Sequence, residues 1–569
     1  MTEETTVPAH LDYFPSRLHA AVYRNWEIVP HERLAHVLGT SVEILDELGA
    51  SLGLQRPGPL TPEIVRRNHE TVLRRNWPVL PRRQIEALLE WSREDLDHFL
   101  ATDIAFRVLL GSPPPDLTTV TYSPPTGATL ARSAWFAERV RKYRAAAAQV
   151  KEEPRLAFIN ELCRPHSEAD LIPGMTPAPG DADLRSGWSI RVPPDAGPVT
   201  RTFVADFVDY CTQIHHAHDL SISTSSLSVT ATTRTIELAL DPAADRGEAY
   251  SLEILPEAVR LRASTDQGLA RGLLELERRM AERGGPFLAP TGRLQSYRPS
   301  FRPRFVYPYF APMTDVLGQD VVDPCPQGYL ARLAHQDADG IWLFCVLQDL
   351  VPSPVFEGMG VGSEQRRQRL REIVSRAATY GLKVYLYFNE PRSQPLSFFA
   401  KYPDAKGHVE GNLAAMCTSN DAVRRHVRGS LEHLFREVPG LGGTFIITAS
   451  ENLTHCYSHG MKITCERCAK RRPEDVVGEL VRCTAEGVHA ADPKALVAVW
   501  DWSWHNVGIK DPQDEIVRAL KPDCALMADF ERGTPIRRGG VPMTVDEYSI
   551  SVVGPGPRAS TRADQARTL

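Results

Sequence analysis

The residues best able to do chemistry stand where apolar runs end. "GTFIITASE" (443–451) terminates in Glu451 and Asn452, "LKVYLYFNE" (382–390) in Asn389 and Glu390, and "ALVAVWDWSW" (495–504) in Asp501, Trp502 and Trp504. "CALMADFE" (524–531) carries Asp529 and Glu531, and "TVDEYSIS" (544–551) carries Asp546, Glu547 and Tyr548. A carboxylate closing a buried strand is costly unless it is paired. One such end could be a structural ion pair; five of them point to a site. Two carboxyl groups flanking one bond is the arrangement glycoside cleavage requires, one donating a proton and the other acting as base or nucleophile. For Asp529 and Glu547 the plainer alternative is a salt bridge to Arg532 or Arg537. Trp502 and Trp504 alternate along one strand, so both could line one wall and cover the apolar face of a sugar ring, or else pack the end of the sheet.

A second concentration of reactive residues follows Glu451. In "ENLTHCYSHGMKITCERCAKRRP", three cysteines and two histidines fall within the 14 residues from His455 to Cys468. Thiolates and imidazole at such spacings suit tetrahedral zinc, with Cys456, Cys465 and Cys468 completed by His459 or by His455. Four protein ligands would close the site, so the zinc would be structural and no cofactor is expected for the chemistry. Unligated reduced thiols and a redox pair are the alternatives, the latter without the strand–helix–strand context of thioredoxins.

The elements that must hold these groups alternate short buried strands with amphipathic helices, the pattern of a parallel sheet. Strands are predicted at 304–310, 340–347, 382–390, 443–451, 495–504, 524–531 and 544–551. This predicts an α/β fold of the (β/α)8-barrel type over 301–569, with the candidate residues at the C-terminal strand ends, where barrel enzymes place their active sites. Seven strands are one short of a closed barrel. The chain is therefore expected to be a fragment lacking the last strand, with a doubly wound open sheet as the alternative.

Two further domains precede the barrel. Residues 1–150 read as helical and contain a duplication: Arg24-Asn25-Trp26 followed by Pro30 returns as Arg75-Asn76-Trp77 followed by Pro81, at an offset of 51. A constant offset without gaps marks a repeated helical unit. "LAHVLGTSVEILDELGASLGL" has a helix-turn-helix look, but the second copy is acidic (Glu90, Glu94, Asp95, Asp97) where a recognition helix wants Lys and Arg. Residues 151–300 mix strands and helices. "TIELALDP" and "AYSLEILPEAVRLRAS" alternate as half-buried strands do, and "TDQGLARGLLELERRM" places Leu269, Leu273 and Leu276 on one helical face.

The run "EAYSLEILPEAVRLRASTDQGLARGLLELERRM" followed by "RPSFRPRFVYPYF" resembles the small α+β domain that precedes the barrel in β-N-acetylhexosaminidases and bacterial α-glucuronidases. Hexosaminidases carry an Asp-Glu pair at the end of strand four, where the Asp supports attack by the substrate's acetamido group; here Ser450 holds the Asp position. "TASENLTHC", "ADFERG" and "DEYSIS" resemble the α-glucuronidase strand ends more closely. That resemblance implies Glu451 as the acid and Asp529 with Glu547 as the pair activating water. Asn389, Glu390, Asn452, Asp501, Trp502, Trp504 and Tyr548 are then the candidate sugar-binding residues. The implied function is an exo-acting glycoside hydrolase of either type, with a carbohydrate substrate; a non-catalytic carbohydrate-binding or scaffold protein is the alternative.

Composition bounds these readings. The net charge of −6 over 569 residues gives no case for nucleic acid or an anionic membrane as partner. The N-terminal "MTEETTVPAHLDYF" lacks the basic and apolar regions of a secretory signal, and no apolar run is long enough to span a bilayer. Ten cysteines in so long a chain do not make a disulfide scaffold, which predicts a reducing, cytoplasmic setting.

Overall fold

The computed structural model of the protein describes residues 13–102, 110, 117–148, 157–224, 234–244, 247–310, 315–318, 322–460, 462–504, 512–520, 524–527, 535–538 and 541–544. The chain divides into two compact units, Met1–Pro154 and Arg155–Leu569. No described helix is long and apolar enough to cross a membrane.

The first unit is helical. Its helices Arg17–Asn25, His31–Val37 and Val42–Ser51 have counterparts about 51 residues on, at His69–Asn76, Arg82–Leu89 and Arg93–Thr102. The first helix of each trio is followed directly by a tryptophan, Trp26 or Trp77, buried in a common apolar core. Gly49 allows the packing in the first copy: a Cβ there would meet the Trp26 ring at 2.0 Å.

In the second unit a mixed six-stranded sheet comes first, with spatial order 221–223, 188–191, 234–240, 258–263, 250–255, 295–297. The helix Asp266–Arg283 packs its leucine face, with Leu269, Leu273 and Leu276 fully buried, into the same core as the barrel strands. Thr265 caps its first turn and Gly284 closes it at φ 67°.

The parallel sheet follows: β1 (Phe305–Val306), β2 (Gly340–Phe344), β3 (Lys383–Phe388), β4 (Gly443–Ile447), β5 (Leu496–Trp500) and β6 (Ala525–Met527). Each lies inside a segment whose composition predicts a strand. Helices α1 (Gln327–His335), α2 (Ser363–Thr379), α3 (Asp421–Glu437), α4 (Pro473–Ala491) and α5 (Pro512–Ala519) connect them in turn. The spatial order is the chain order, β1 to β6, without the reversal that defines a doubly wound sheet.

The sheet also curls. Phe305 of β1 and Phe445 of β4 stack with ring centroids 5.6 Å apart. Three strand spacings of about 4.8 Å would hold them about 14 Å apart on a flat sheet. Strand parity divides the residues between two layers. Trp342, Phe344, Tyr385, Tyr387, Phe445, Ile447 and Ala498 face one another inside the curl, joined by Trp500, Trp502 and Met527. Ile341, Leu343, Val384, Leu386, Ile446, Val497 and Val499 face out into the core shared with the helices. A curled parallel sheet in chain order, alternating with helices, is the wall of a (β/α) barrel.

The region after β6 differs from expectation. An antiparallel hairpin pairs Pro535–Arg538 with Val541–Thr544, so Thr544, expected to open a seventh parallel strand, instead ends a hairpin strand. The remainder of that segment, 545–551, lies outside the described residues. A three-stranded antiparallel insertion (394–395, 413–416, 406–410) also interrupts the barrel between β3 and α3.

Candidate active site at the barrel mouth

The C-terminal ends of β2 to β5 open onto a floor of aromatic rings. Trp342 meets the Tyr307 ring at 4.3 Å and the Tyr387 ring at 5.6 Å, and Trp500 meets Trp502 edge-on at 5.2 Å. Glu451 lies four residues beyond the end of β4, with its side chain exposed. Its charge acts on Tyr387, the last inward residue of β3. Burial pushes the Tyr387 phenol up to about 12; the Glu451 charge adds to that rise, and a hydrogen bond with Asn389 opposes it.

Asn389 ties β3 to the end of β4. Its Nδ2 donates to the Ile447 carbonyl at 3.2 Å and to Ser450 Oγ at 3.1 Å, and its Oδ1 accepts from Asn452 Nδ2 at 3.4 Å. Arg392 completes the chain by donating to Asn452 Oδ1, with its guanidinium 5.3 Å from the Phe344 ring. Ser450, in the position where the hexosaminidase pattern has Asp, is 7% exposed and engaged by Asn389.

Three candidate residues turn away from the mouth. Glu390 follows the inward residue Asn389, so pleat parity aims it outward. Its carboxylate accepts from the Leu347 N–H at 2.7 Å and the Arg392 N–H at 2.9 Å, fastening the loop after β2. Burial raises its pKa to about 7, while those N–H groups and Arg392 pull the other way. Asp501 lies between the inward Trp500 and Trp502 and is 2% exposed. Trp504 does not share a wall with Trp502, as strand alternation predicts. The strand ends at Trp500 and Ser503 turns at φ 56°, in the left-handed region, which sends Trp504 back into the core. There it is fully buried and its Nε1 donates to Thr448 Oγ1 at 2.8 Å. Trp502 stays half-buried at the mouth. Asp529, Glu531, Asp546, Glu547 and Tyr548 lie outside the described residues.

The cysteine-rich loop folds against the antiparallel insertion. Sulfurs of Cys417, Cys456, Cys465 and Cys468 all lie within 4.8 Å of one another and are buried. The fourth member is a cysteine, not the histidine predicted from spacing. His459 is spoken for: Nδ1 lies 2.7 Å from Glu410 Oε2 and Nε2 2.7 Å from the Ser450 carbonyl. His455 is buried with Nδ1 accepting from the Tyr457 N–H at 3.1 Å. Cys417 escapes a reading of local spacing because it leaves the hairpin strand Leu413–Met416, far from the loop in sequence. Tyr387 and Arg392 were also missed. Tyr387 carries the signal of inward parity two residues before Asn389, whereas Arg392 has none beyond following Glu390-Pro391.

The sequence matches no protein-family profile, and no curated protein matches it. Solved structures align with part of it at low identity. A GH138 enzyme targeting pectin rhamnogalacturonan II is 11% identical, with a TM-score of 0.42 over 61% of this chain and 38% of its own. The Flavobacterium johnsoniae chitobiase is 15% identical, with a TM-score of 0.39 over 64% of this chain and 60% of its own. A mutant Streptomyces plicatus β-hexosaminidase bound to its product GlcNAc is 16% identical, with a TM-score of 0.41 over 70% of this chain and 81% of its own. The chain thus spans less than two thirds of the first two of these structures, 38% and 60%.

Proposed function

We propose that the protein is a glycoside hydrolase acting at the barrel mouth, with Glu451 as the proton donor. One observation carries the reading. Of the three described carboxylates at the ends of β3, β4 and β5, Glu390 and Asp501 are buried, while Glu451 is exposed and its charge acts on the Tyr387 phenol at the end of β3. An exposed acid next to stacked rings suits a pyranose lying on the rings with its glycosidic oxygen toward the acid. Asp529 and Glu547 keep the role the α-glucuronidase resemblance implies, as the pair activating water. Ser450, held by Asn389, offers no carboxylate to orient an acetamido group, which favours a uronide-type over a hexosaminide-type substrate. Arg392 supplies a cation at the same mouth for an anionic sugar.

The test is a screen of aryl glycosides, uronides and N-acetylhexosaminides included, with wild type and Glu451→Gln. The amide keeps the shape but cannot donate the proton, so hydrolysis should fall by about 10²- to 10⁴-fold. Full activity in the variant would remove Glu451 as the acid. Binding without turnover across the screen would leave a carbohydrate-binding protein.

A further inference from the structure

We propose that Cys417, Cys456, Cys465 and Cys468 hold one structural zinc ion, which clamps the antiparallel insertion before α3 to the loop after β4. Cys417 Sγ lies 3.6 Å from Cys465 Sγ and 3.6 Å from Cys468 Sγ. Zn–S bonds of about 2.3 Å in a tetrahedron place the sulfurs about 3.8 Å apart. A disulfide would need about 2.0 Å, and all ten cysteines of the chain are free. A cluster of several irons would spread its cysteines wider than one ion does.

The surroundings suit thiolates rather than thiols. Four thiolates around a dication carry a double negative charge, and donors converge on it. The His408 N–H donates to Cys456 Sγ at 3.4 Å, Arg467 Nε donates to Cys417 Sγ at 3.4 Å, and Ser419 Oγ lies 3.2 Å from Cys468 Sγ. Such hydrogen bonds orient and tune metal ligands. Gly407 leaves the room for this approach: a Cβ there would stand 2.7 Å from Cys456 Sγ. The ligands come from three places in the chain, the hairpin exit, the loop after β4 and a C-x-x-C turn. One ion would therefore fix the backbone that carries Ser450 and Glu451, whatever reaction the mouth performs.

Zinc content of the full chain, purified without chelator, tests this, together with Co²⁺ replacement and two variants. One zinc per chain is the expected result, with thiolate-to-cobalt charge-transfer absorption in the Co²⁺ form of the wild type, a readout that needs no variant to fold. His459→Ala should keep the metal and Cys417→Ser should lose at least tenfold in affinity. A wild-type chain that carries no zinc and gives no cobalt spectrum, or metal lost with His459 and kept without Cys417, overturns the assignment.

Discussion

Asn25 and Asn76, both fully buried, hydrogen-bond each other through both amides: each Nδ2 donates to the other's Oδ1 at 2.7 Å. Each Nδ2 also donates at 2.8 Å to the carbonyl four residues earlier in its own helix, Ala21 or Val72. Their neighbours repeat the exchange, Arg24 Nη1 donating to the Arg75 carbonyl at 2.7 Å and Arg75 Nη1 to the Arg24 carbonyl at 3.0 Å. The duplicated units therefore meet about a local two-fold axis at the very residues that reveal the repeat. Asn25→Ala strands the Asn76 amide in an apolar core. It should lower the stability of the helical unit by about 1–3 kcal/mol in chemical denaturation, and an unchanged midpoint would show the pair to be dispensable.

His335 sits between the half-buried Asp206 and the buried Glu277, its Nε2 2.7 Å from Asp206 and its Nδ1 3.0 Å from Glu277, with His166 3.2 Å from the other Asp206 oxygen. Although burial opposes charge, the hydrogen bond to Asp206 and the nearby Glu277 carboxylate raise its pKa to about 9. Because the folded value lies above the unfolded one of 6.5, its contribution is full below pH 6.5 and is lost as pH rises through 9. Asp206, held near 2 against its own burial by the two histidines, adds stability above pH 3.8 that disappears as pH falls through 2. Wild type should therefore lose on the order of a few kcal/mol between pH 6 and pH 9.5, and His335→Gln should flatten that slope. Equal slopes in the two proteins would remove His335 as its source.

The two tryptophans after β5 should separate by assay. Trp502→Ala removes a half-buried ring at the mouth and should raise KM for a cleaved glycoside, with the melting temperature nearly unchanged. Trp504→Phe removes the buried bond to Thr448 and part of a packed indole, and should cost about 1–3 kcal/mol of stability. A KM change confined to the Trp504 variant would reverse these roles.

Gly407→Ala should disturb the cysteine cluster without touching a sulfur atom. The added methyl would lie 2.7 Å from Cys456 Sγ and 2.7 Å from the Ala415 carbonyl, too close for either to stay in place. Metal retention on titration with a chelator should fall relative to wild type. Equal retention in Gly407→Ala and wild type would show that the sulfurs tolerate the shift.

Local sequence determined the periodic features. The cores of β1 to β6 lie inside the apolar runs because a strand buried on both faces must be apolar throughout, and such runs stand out against the charged helices between them. The internal repeat was equally legible, since identity at a fixed offset needs no structure to detect. Tertiary structure alone decided which polar strand ends reach the mouth. A run such as "YFNE" or "VWDWSW" does not state where the pleat stops: Asn389 and Glu390 are both buried, yet Asn389 binds the end of β4 while Glu390 binds the loop after β2. One left-handed residue, Ser503, separates the exposed edge of Trp502 from the core position of Trp504. The same holds for the cysteines. Cys456, Cys465 and Cys468 were visible because they are close in the chain, whereas Cys417 joins them only because an antiparallel insertion folds back onto the loop after β4, and no spacing in the sequence encodes that contact.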